Sequence, residues 1–190
     1  MKMKLMEQRT KKAGTARHDA SSVFGNLIIR KVNESDLIEL EWGDEYRHFR
    51  YLYRDVYKKM LQGKTIMWVA ENPEQGILGQ IFVDLRSSKN AGKNTLARAY
   101  LFSIRVKAAF RNQGLGTLLV KHAEQQVSKR GFSQVYLFVG KTNLDAIRFY
   151  RRMGYTIMGE VAGNWSYFDE NGHFHHVHDP SWRMFKFLFL

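Results

Sequence analysis

The stretch with the clearest capacity for chemistry is a short glycine-containing segment in the middle of the chain. It consists of Arg111, Asn112, Gln113, Gly114, Leu115 and Gly116. Glycine has no Cβ atom, so a ligand can approach the backbone amides at Gly114 and Gly116 closely. If a helix begins here, those amides lack intrahelical partners and the helix dipole is positive. The segment therefore predicts a phosphate or pyrophosphate site. Tight helix packing is the alternative explanation of the glycines.

A second candidate pair consists of Asn143 and Tyr150, which are seven positions apart. This spacing is nearly two helical turns, so both side chains lie on one face, with Ala146 and Ile147 between them. An amide and a phenol on one stripe can contact a ligand, and the phenol can donate a proton. A tyrosine packed in the core is the alternative for Tyr150.

The elements that position these residues follow from a change of hydrophobic period around the glycines. Residues 97–106 are rich in aromatic and β-branched side chains, as in a strand, and residues 134–139 form a second short strand. Between them, apolar residues recur at helical spacing until Gly131. The predicted buried stripe of this helix is Leu115, Leu118, Leu119, Ala123 and Val127, and its predicted polar face is Thr117, Lys121, Glu124, Gln125 and Lys129. A right-handed crossover makes the two strands parallel neighbours, with the glycines at their ligand-binding carboxyl ends.

The remaining patterns complete an alternation of strands and helices. Before the glycine segment we predict a strand at 24–32, a helix starting at Asn33 or Asp36, a helix at 46–61, a hairpin of strands 65–70 and 77–85 and a polar loop at 86–94. After it we predict a helix at 143–153 and two last strands at 155–161 and 181–189, which are joined by a long loop.

Composition restricts the class of protein. The 190 residues suit one core, and the net charge of +12 would attract polyanions such as nucleic acid, an anionic membrane or a phosphorylated cofactor. The chain contains no cysteine, which excludes disulfides, cysteine-ligated zinc and a cysteine nucleophile. No apolar run reaches the length of a membrane span and no secretory signal is evident, so we expect no membrane association and a cytoplasmic location.

Three local features have both a functional and a structural explanation. The basic residues 1–22 indicate a mobile tail, which is either a nucleic-acid or ribosome-binding arm or a solvated leader. The acidic run at 34–45 either attracts a cationic acceptor or forms a solvated helix face. His173, His175, His176 and His178 suggest a metal, but their spacing fits no zinc pattern and residues 169–172 indicate a turn, so we predict a solvated hairpin and no metal.

The combination of these segments resembles the GNAT superfamily of acetyl-CoA-dependent N-acetyltransferases. The segment from Arg111 to Gly116 fits the cofactor loop of that family, and Asn143, Ala146 and Tyr150 followed by Gly154 and Tyr155 fit its second motif. The opening strand at 29–31 leading to residues 34–37 is a common start of the family. The resemblance covers residues 24–190.

The resemblance implies a mixed α/β (α+β) fold. It would consist of a mostly antiparallel twisted sheet of about seven strands, one parallel pair around the cofactor-binding helix and about four flanking helices. The domain would occupy residues 23–190 and the tail residues 1–22.

The resemblance also implies roles for the candidate residues. Acetyl-CoA would be held by its pyrophosphate at Arg111, Asn112, Gln113, Gly114, Leu115, Gly116 and Thr117, and by its pantetheine arm at Ile104, Val106, Asn143 and Tyr150. The implied reaction is direct attack of a primary amine on the thioester. Tyr150 would be the general acid, and the backbone amide of Ile104 would stabilise the oxyanion.

The acceptor and the general base stay open at this point. The acceptor is a primary amine of a protein N-terminus, a lysine, a polyamine or an aminoglycoside. Residues 97–106 contain no carboxylate, and Tyr100, Asp84 and Glu160 are base candidates by rough location alone. A basic RNA- or ribosome-binding module and a non-catalytic coenzyme A sensor are the alternative functions. The oligomeric state is either monomer or homodimer.

Overall fold

A seven-stranded sheet organises the structure, a computed structural model that describes residues 25–85 and 97–188. The strand order is β1-β2-β3-β4-β5-β9-β6, and β4 with β5 is its one parallel pair. The strands of this sheet are β1 (Ile28–Lys31), β2 (Thr65–Asn72), β3 (Gly76–Asp84), β4 (Arg98–Val106), β5 (Gln134–Gly140), β6 (Thr156–Val161) and β9 (Ser181–Phe187). A separate hairpin contains β7 (Asn164–Phe168) and β8 (Phe174–His178).

Four α-helices lie within the described ranges, and both faces of the sheet carry one long helix. They are α1 (Asp36–Glu39), α2 (Arg50–Leu61), α3 (Leu115–Ser128) and α4 (Leu144–Arg152). Tyr53 and Val56 of α2 pack with Phe82 in one buried cluster, whereas Leu119 of α3 packs with Leu101 in the other. The sheet is therefore covered on both sides near β2 and β3, which explains their uninterrupted apolar sequence. The predicted fold class is confirmed.

The predicted hairpin is confirmed as β2 and β3. Its turn closes because the side-chain oxygen of Asn72 accepts a hydrogen bond from the backbone amide of Glu74 at 2.9 Å. Gly76 follows with a φ of 72°, which favours glycine. The predicted polar loop at 86–94 and the basic tail at 1–22 lie outside the described residues, so those two predictions stay untested.

Helix α3 has a different buried face from the predicted one at two positions. Leu118 was predicted to be buried but is 44% exposed, whereas Glu124 was predicted to face solvent but is buried. The side-chain oxygens of Glu124 accept hydrogen bonds from the Tyr155 hydroxyl at 2.9 Å and from the Lys186 ammonium at 2.7 Å. The helix is thus covered by the segment around Tyr155 and β9 as well as by β3, and the hydrophobic period alone did not reveal these polar partners.

The first helical region is shorter than predicted. Helix α1 is a single turn, and the chain reverses at Trp42 and Gly43, whose φ angles are 48° and 70°. A short 3-10 turn then leads into α2, where a continuous helix was predicted from residue 46.

Three acids of the run at 34–45 serve the fold, whereas Glu34, Asp44 and Glu45 are exposed, as in the predicted solvated face. Asp36 accepts two hydrogen bonds from the Arg30 guanidinium, at 2.6 and 3.0 Å, and Glu41 accepts two from Arg50. Glu39 accepts a hydrogen bond from the backbone amide of Ile77 at 2.6 Å.

The predicted long loop after β6 contains the hairpin β7–β8. Its turn is at residues 169–172 as predicted, because Asp169 accepts hydrogen bonds from the backbone amides of Asn171 and His173. Tyr167 packs against Phe49, with ring centroids 5.1 Å apart, which places the hairpin beside the start of α2. Within the described ranges, no group of histidine and acidic side chains is arranged to hold a metal ion.

Candidate functional site

The candidate site forms where β4 and β5 separate. The parallel pairing covers residues 98–100 and 134–136, and the strands diverge beyond them. Ser103 has a φ of 49°, and β4 there has a register irregularity against β3. The divergence opens a cavity of about 240 Å³ between the strands, next to a larger cleft of about 790 Å³. Both are lined by Ile104, Asn143, Ala146 and Tyr150.

The glycine segment forms the rim of the larger cleft. Gly114 is the N-cap of α3 with a φ of 94°, and no side chain caps this helix. A Cβ atom at Gly116 would meet Phe149 at 3.5 Å and Val106 at 3.9 Å, which are ordinary contacts. A Cβ atom at Gly114 would meet nothing within 4 Å. Packing therefore does not require glycine at either position, and the helix amides are open on the cleft side, as a phosphate site requires.

Side chains of the same segment hold its conformation. The Arg111 guanidinium donates a hydrogen bond to the Val106 carbonyl at 2.9 Å, and the Gln113 amide donates to the Ala109 carbonyl at 2.8 Å. Arg111 lines the cleft, so its charge adds to the helix dipole. The Val106 carbonyl already has one donor, which limits its capacity to pair with a ligand.

Helix α4 brings Asn143 and Tyr150 to the same cavity, as their spacing predicts. The Asn143 side chain caps the helix by accepting a hydrogen bond from the Ala146 amide at 3.1 Å. Asn143, Ala146 and Tyr150 face the cavity, while Ile147 points into the core. The cap fixes the start of α4, so it also fixes the position of Tyr150 two turns later.

Tyr150 is buried, with 8% of its surface exposed. Burial, and to a smaller degree Tyr100, raises the pKa of the Tyr150 phenol well above its usual value. Its ring contacts those of Phe149 and Tyr155, with centroids 5.1 and 5.7 Å away. A phenol in this environment keeps its proton at neutral pH, so Tyr150 can donate a hydrogen bond into the cavity and cannot act as a base.

The structure brings most of the predicted site residues together. Those that line the cleft are Ile104, Val106, Arg111, Asn112, Gly114, Gly116, Thr117, Asn143 and Tyr150. Gln113 and Leu115 are not among the lining residues, and the Leu115 side chain is fully buried in the core. These two can contribute only through their backbone amides.

Sequence reasoning missed several cleft residues. They are Tyr46, Asp145, Arg148 and Arg152. Arg148 and Arg152 are four positions apart on α4, a spacing that places them on one helix face and was a usable signal. Tyr46 lies far away in the chain, so no local pattern connects it to the site. Asp145 forms an ion pair with Arg148, so the cleft is cationic overall.

The three base candidates do not line either cavity in the part of the chain that the structure describes. Burial raises the pKa of Tyr100 to about 12, which makes it a poor acceptor of protons at neutral pH. Glu160 forms an ion pair with Lys141 at 2.5 Å on the edge strand β6.

Comparison with known proteins agrees with this geometry. Residues 34–155 match the family described as Acetyltransferase (GNAT) family. The chain belongs to the GNAT family. The predicted resemblance is confirmed, and acetyl-CoA is the acetyl donor that this family uses.

One relative of this GNAT chain is an uncharacterized N-acetyltransferase from Methanocaldococcus jannaschii. It is 32% identical over 155 residues, which is 73% of this chain and 66% of that protein. The match therefore spans just under two thirds of the relative's own length.

Two solved structures share the GNAT fold of this chain. Arabidopsis thaliana NAA60 in complex with acetyl-CoA has a TM-score of 0.66 at 21% identity, covering 85% of this chain and 98% of that one. A chimera of the spermidine N-acetyltransferase SpeG from Vibrio cholerae has a TM-score of 0.64 at 16% identity, covering 86% and 96%. At these identities the similarity establishes the fold and does not select an acceptor.

No helix within residues 25–85 and 97–188 is both long enough and apolar enough to span a membrane.

Proposed function

We propose that this GNAT chain transfers the acetyl group of acetyl-CoA directly to a primary amine. One observation carries the proposal: the uncapped, glycine-lined start of α3 and the buried Tyr150 phenol border one continuous cleft at the divergence of β4 and β5. The first is suited to a pyrophosphate and the second to the protonation of a leaving group.

The residues along the cleft match the successive parts of an acetyl-CoA molecule. Backbone amides of residues 113–117 and the Arg111 guanidinium would hold the pyrophosphate. Arg148 and Arg152 would add positive charge near the remaining phosphate. Backbone groups of Ile104 and Val106, together with Asn143, would hold the pantetheine arm in the gap between the strands, where unpaired backbone groups require partners.

The chemical step needs three contributions. Acetyl-CoA supplies a thioester whose carbonyl carbon accepts the amine nitrogen. The Ile104 backbone N–H would stabilise the negative charge that develops on the carbonyl oxygen. The Tyr150 hydroxyl would donate its proton to the departing sulfur as the carbon–sulfur bond breaks, and the acceptor nitrogen would lose a proton to water. Holding both reactants in one cleft supplies much of the remaining acceleration.

Thiol release from acetyl-CoA in the presence of an amine panel tests the proposal. We expect turnover with at least one amine, and Tyr150→Phe should lower kcat about 100- to 10,000-fold, the usual contribution of general acid–base catalysis. Acetyl-CoA should raise the melting temperature of both proteins.

Two results would contradict the proposal. A raised melting temperature without thiol release for any amine would indicate a coenzyme A sensor. The absence of any thermal shift with millimolar acetyl-CoA would exclude the cofactor site itself.

A further inference from the structure

Next to the cofactor cleft lies a group of aromatic rings around one arginine, which we call the Arg105 patch. It consists of Tyr46, Phe49, Tyr53 and Arg105. The Arg105 guanidinium lies over the Tyr46 ring at 4.0 Å and over the Phe49 ring at 4.9 Å from the ring centroids. It also donates a hydrogen bond to the Tyr53 hydroxyl. Arg105 is thereby fixed in place on the α2 side of the sheet, beside the cleft.

Arg105 retains unused donors in this position. A guanidinium has five N–H groups, and the bond to Tyr53 is its one hydrogen bond in the part of the chain that the structure describes. Arg105 and Tyr46 both line the cleft, together with Ile104, whose amide borders the reaction centre. The free donors thus belong to the wall of the cleft opposite α4, where an acceptor molecule would lie.

A buried polar residue adjoins the same patch. Gln80 on β3 pairs with Arg105 on β4, so the two side chains leave the sheet on one face. Gln80 is fully buried, and its side chain interacts with the Tyr53 hydroxyl to which Arg105 also donates. The buried amide therefore helps to hold the Tyr53 side of the patch in place.

The patch is poorly suited to a cationic acceptor. The ring faces of Tyr46 and Phe49, which are the places where an ammonium group would bind, are already occupied by Arg105. Among the described residues, Asp145 is the one carboxylate that lines the cleft, and it is paired with Arg148. Glu45, beside Tyr46, is exposed and outside the cleft lining.

The same lining favours an amine that loses its proton easily. No unpaired carboxylate or histidine lines the cavities within residues 25–85 and 97–188. The α-amine of a peptide has a pKa of about 8, whereas lysine and similar alkylamines have values of about 10. About a quarter of a peptide α-amine is therefore neutral near pH 7.5, against less than about 1% of an alkylamine, so the peptide amine needs a weaker base than a polyamine does.

We propose that Arg105 selects acceptors whose amine is followed by a carbonyl or carboxylate oxygen, as in an amino acid or a peptide N-terminus, and that it disfavours polyamines. This inference rests on the proposed acetyl transfer. The guanidinium donates hydrogen bonds to the acceptor oxygen, which places the neighbouring amine at the Ile104 side of the cleft. Arg105 acts here as a specificity-determining residue.

An acceptor panel with the full chain and saturating acetyl-CoA tests this inference. The probes are Ala-Gly-Gly amide, free alanine, Nα-acetyl-lysine amide and spermidine, with thiol release as the readout. The first two probes distinguish a peptide from a free amino acid as the source of the oxygen. We expect at least one of them to exceed spermidine and the lysine probe about tenfold or more in kcat/KM, as one hydrogen bond to a charged group allows.

Arg105→Gln should then raise the acceptor KM about 10- to 100-fold and reduce this preference, with an unchanged KM for acetyl-CoA. Tyr53→Phe keeps the ring and removes the hydrogen bond that holds the guanidinium, so it should produce a smaller loss in the same direction. Arg47→Gln is the matched control, since Arg47 is exposed, bonds to Asp44 and does not line the cleft.

Three outcomes would overturn the inference while leaving acetyl transfer intact. They are a preference for spermidine or the lysine probe, a change in the acetyl-CoA KM alone in Arg105→Gln, and an effect of Arg47→Gln as large as that of Arg105→Gln. A lack of thiol release with every amine would instead refute the proposed function.

Discussion

Replacement of Glu124 by leucine is expected to destabilise the fold, because Glu124 is a buried acid with two partners. The Tyr155 hydroxyl donates to it at 2.9 Å and Lys186 at 2.7 Å, with side-chain exposures of 9% for Glu124 and 26% for Lys186. In Glu124→Leu the buried Tyr155 hydroxyl loses its acceptor, which costs about 1–3 kcal/mol. Lys186 is a quarter exposed and can be solvated again, so its loss adds no more than about 1 kcal/mol.

The expected total is about 1–4 kcal/mol, which corresponds to a fall in melting temperature of about 2–16 °C for a chain of this size. Urea denaturation should give the same free energy, with an unchanged m-value. The triple variant Glu124→Leu, Tyr155→Phe, Lys186→Met should recover most of the loss, because no buried polar group then lacks a partner.

Two results would refute this reasoning. One is a melting temperature of Glu124→Leu within about 1 °C of the parent protein. The other is a triple variant that stays as unstable as the single one. Gln125→Leu on the exposed side of α3 is the control for the effect of leucine on the helix itself.

Three further predictions concern the site and the response to pH. Gly116→Ala should leave the melting temperature unchanged or raise it, because its Cβ atom meets ordinary contacts, yet weaken acetyl-CoA binding in a titration. Gly114→Ala should instead destabilise the fold on thermal unfolding by roughly 1–2 kcal/mol, since the φ of 94° disfavours alanine. Burial raises the pKa of Asp36, but hydrogen bonds from Arg30 and the Asn33 amide outweigh this and lower it overall. The stability from Asp36 is thus present above about pH 4 and is lost as pH falls through the lowered pKa, so Asp36→Asn should show a flatter acid denaturation curve.

The elements around the cofactor loop were predictable from sequence because each one satisfies a local rule. The strand before Gly114, the helix after it and the helix that carries Asn143 and Tyr150 depend on hydrophobic period and on residue types close in the chain. The pairing of β4 with β5 followed from the handedness of the crossover, which is nearly invariant. These are the parts of the site that we propose to bind the acetyl donor.

The parts that sequence reasoning missed depend on contacts between distant segments. The aromatic surroundings of Arg105 are one example, because Tyr46, Phe49 and Tyr53 lie more than fifty positions earlier in the chain. The hydrophobic pattern of α3 predicts that Glu124 faces solvent. Its carboxylate can be buried because Tyr155 and Lys186 donate hydrogen bonds to it. Asp36, Glu39 and Glu41 likewise have partners in other segments, namely Arg30, the Ile77 amide and Arg50. Hydrophobic period does not report such polar pairs.

The divergence of β4 and β5 has a consequence for how this protein tolerates mutation. Beyond residues 98–100, the edge of β4 that faces β5 presents main-chain groups, and every amino acid except proline offers the same donor and acceptor there. Binding through such main-chain groups depends little on which side chains the residues carry. Alanine at Ile104 will therefore understate the importance of its main-chain groups, whereas proline or a backbone ester at Ile104 will reveal it.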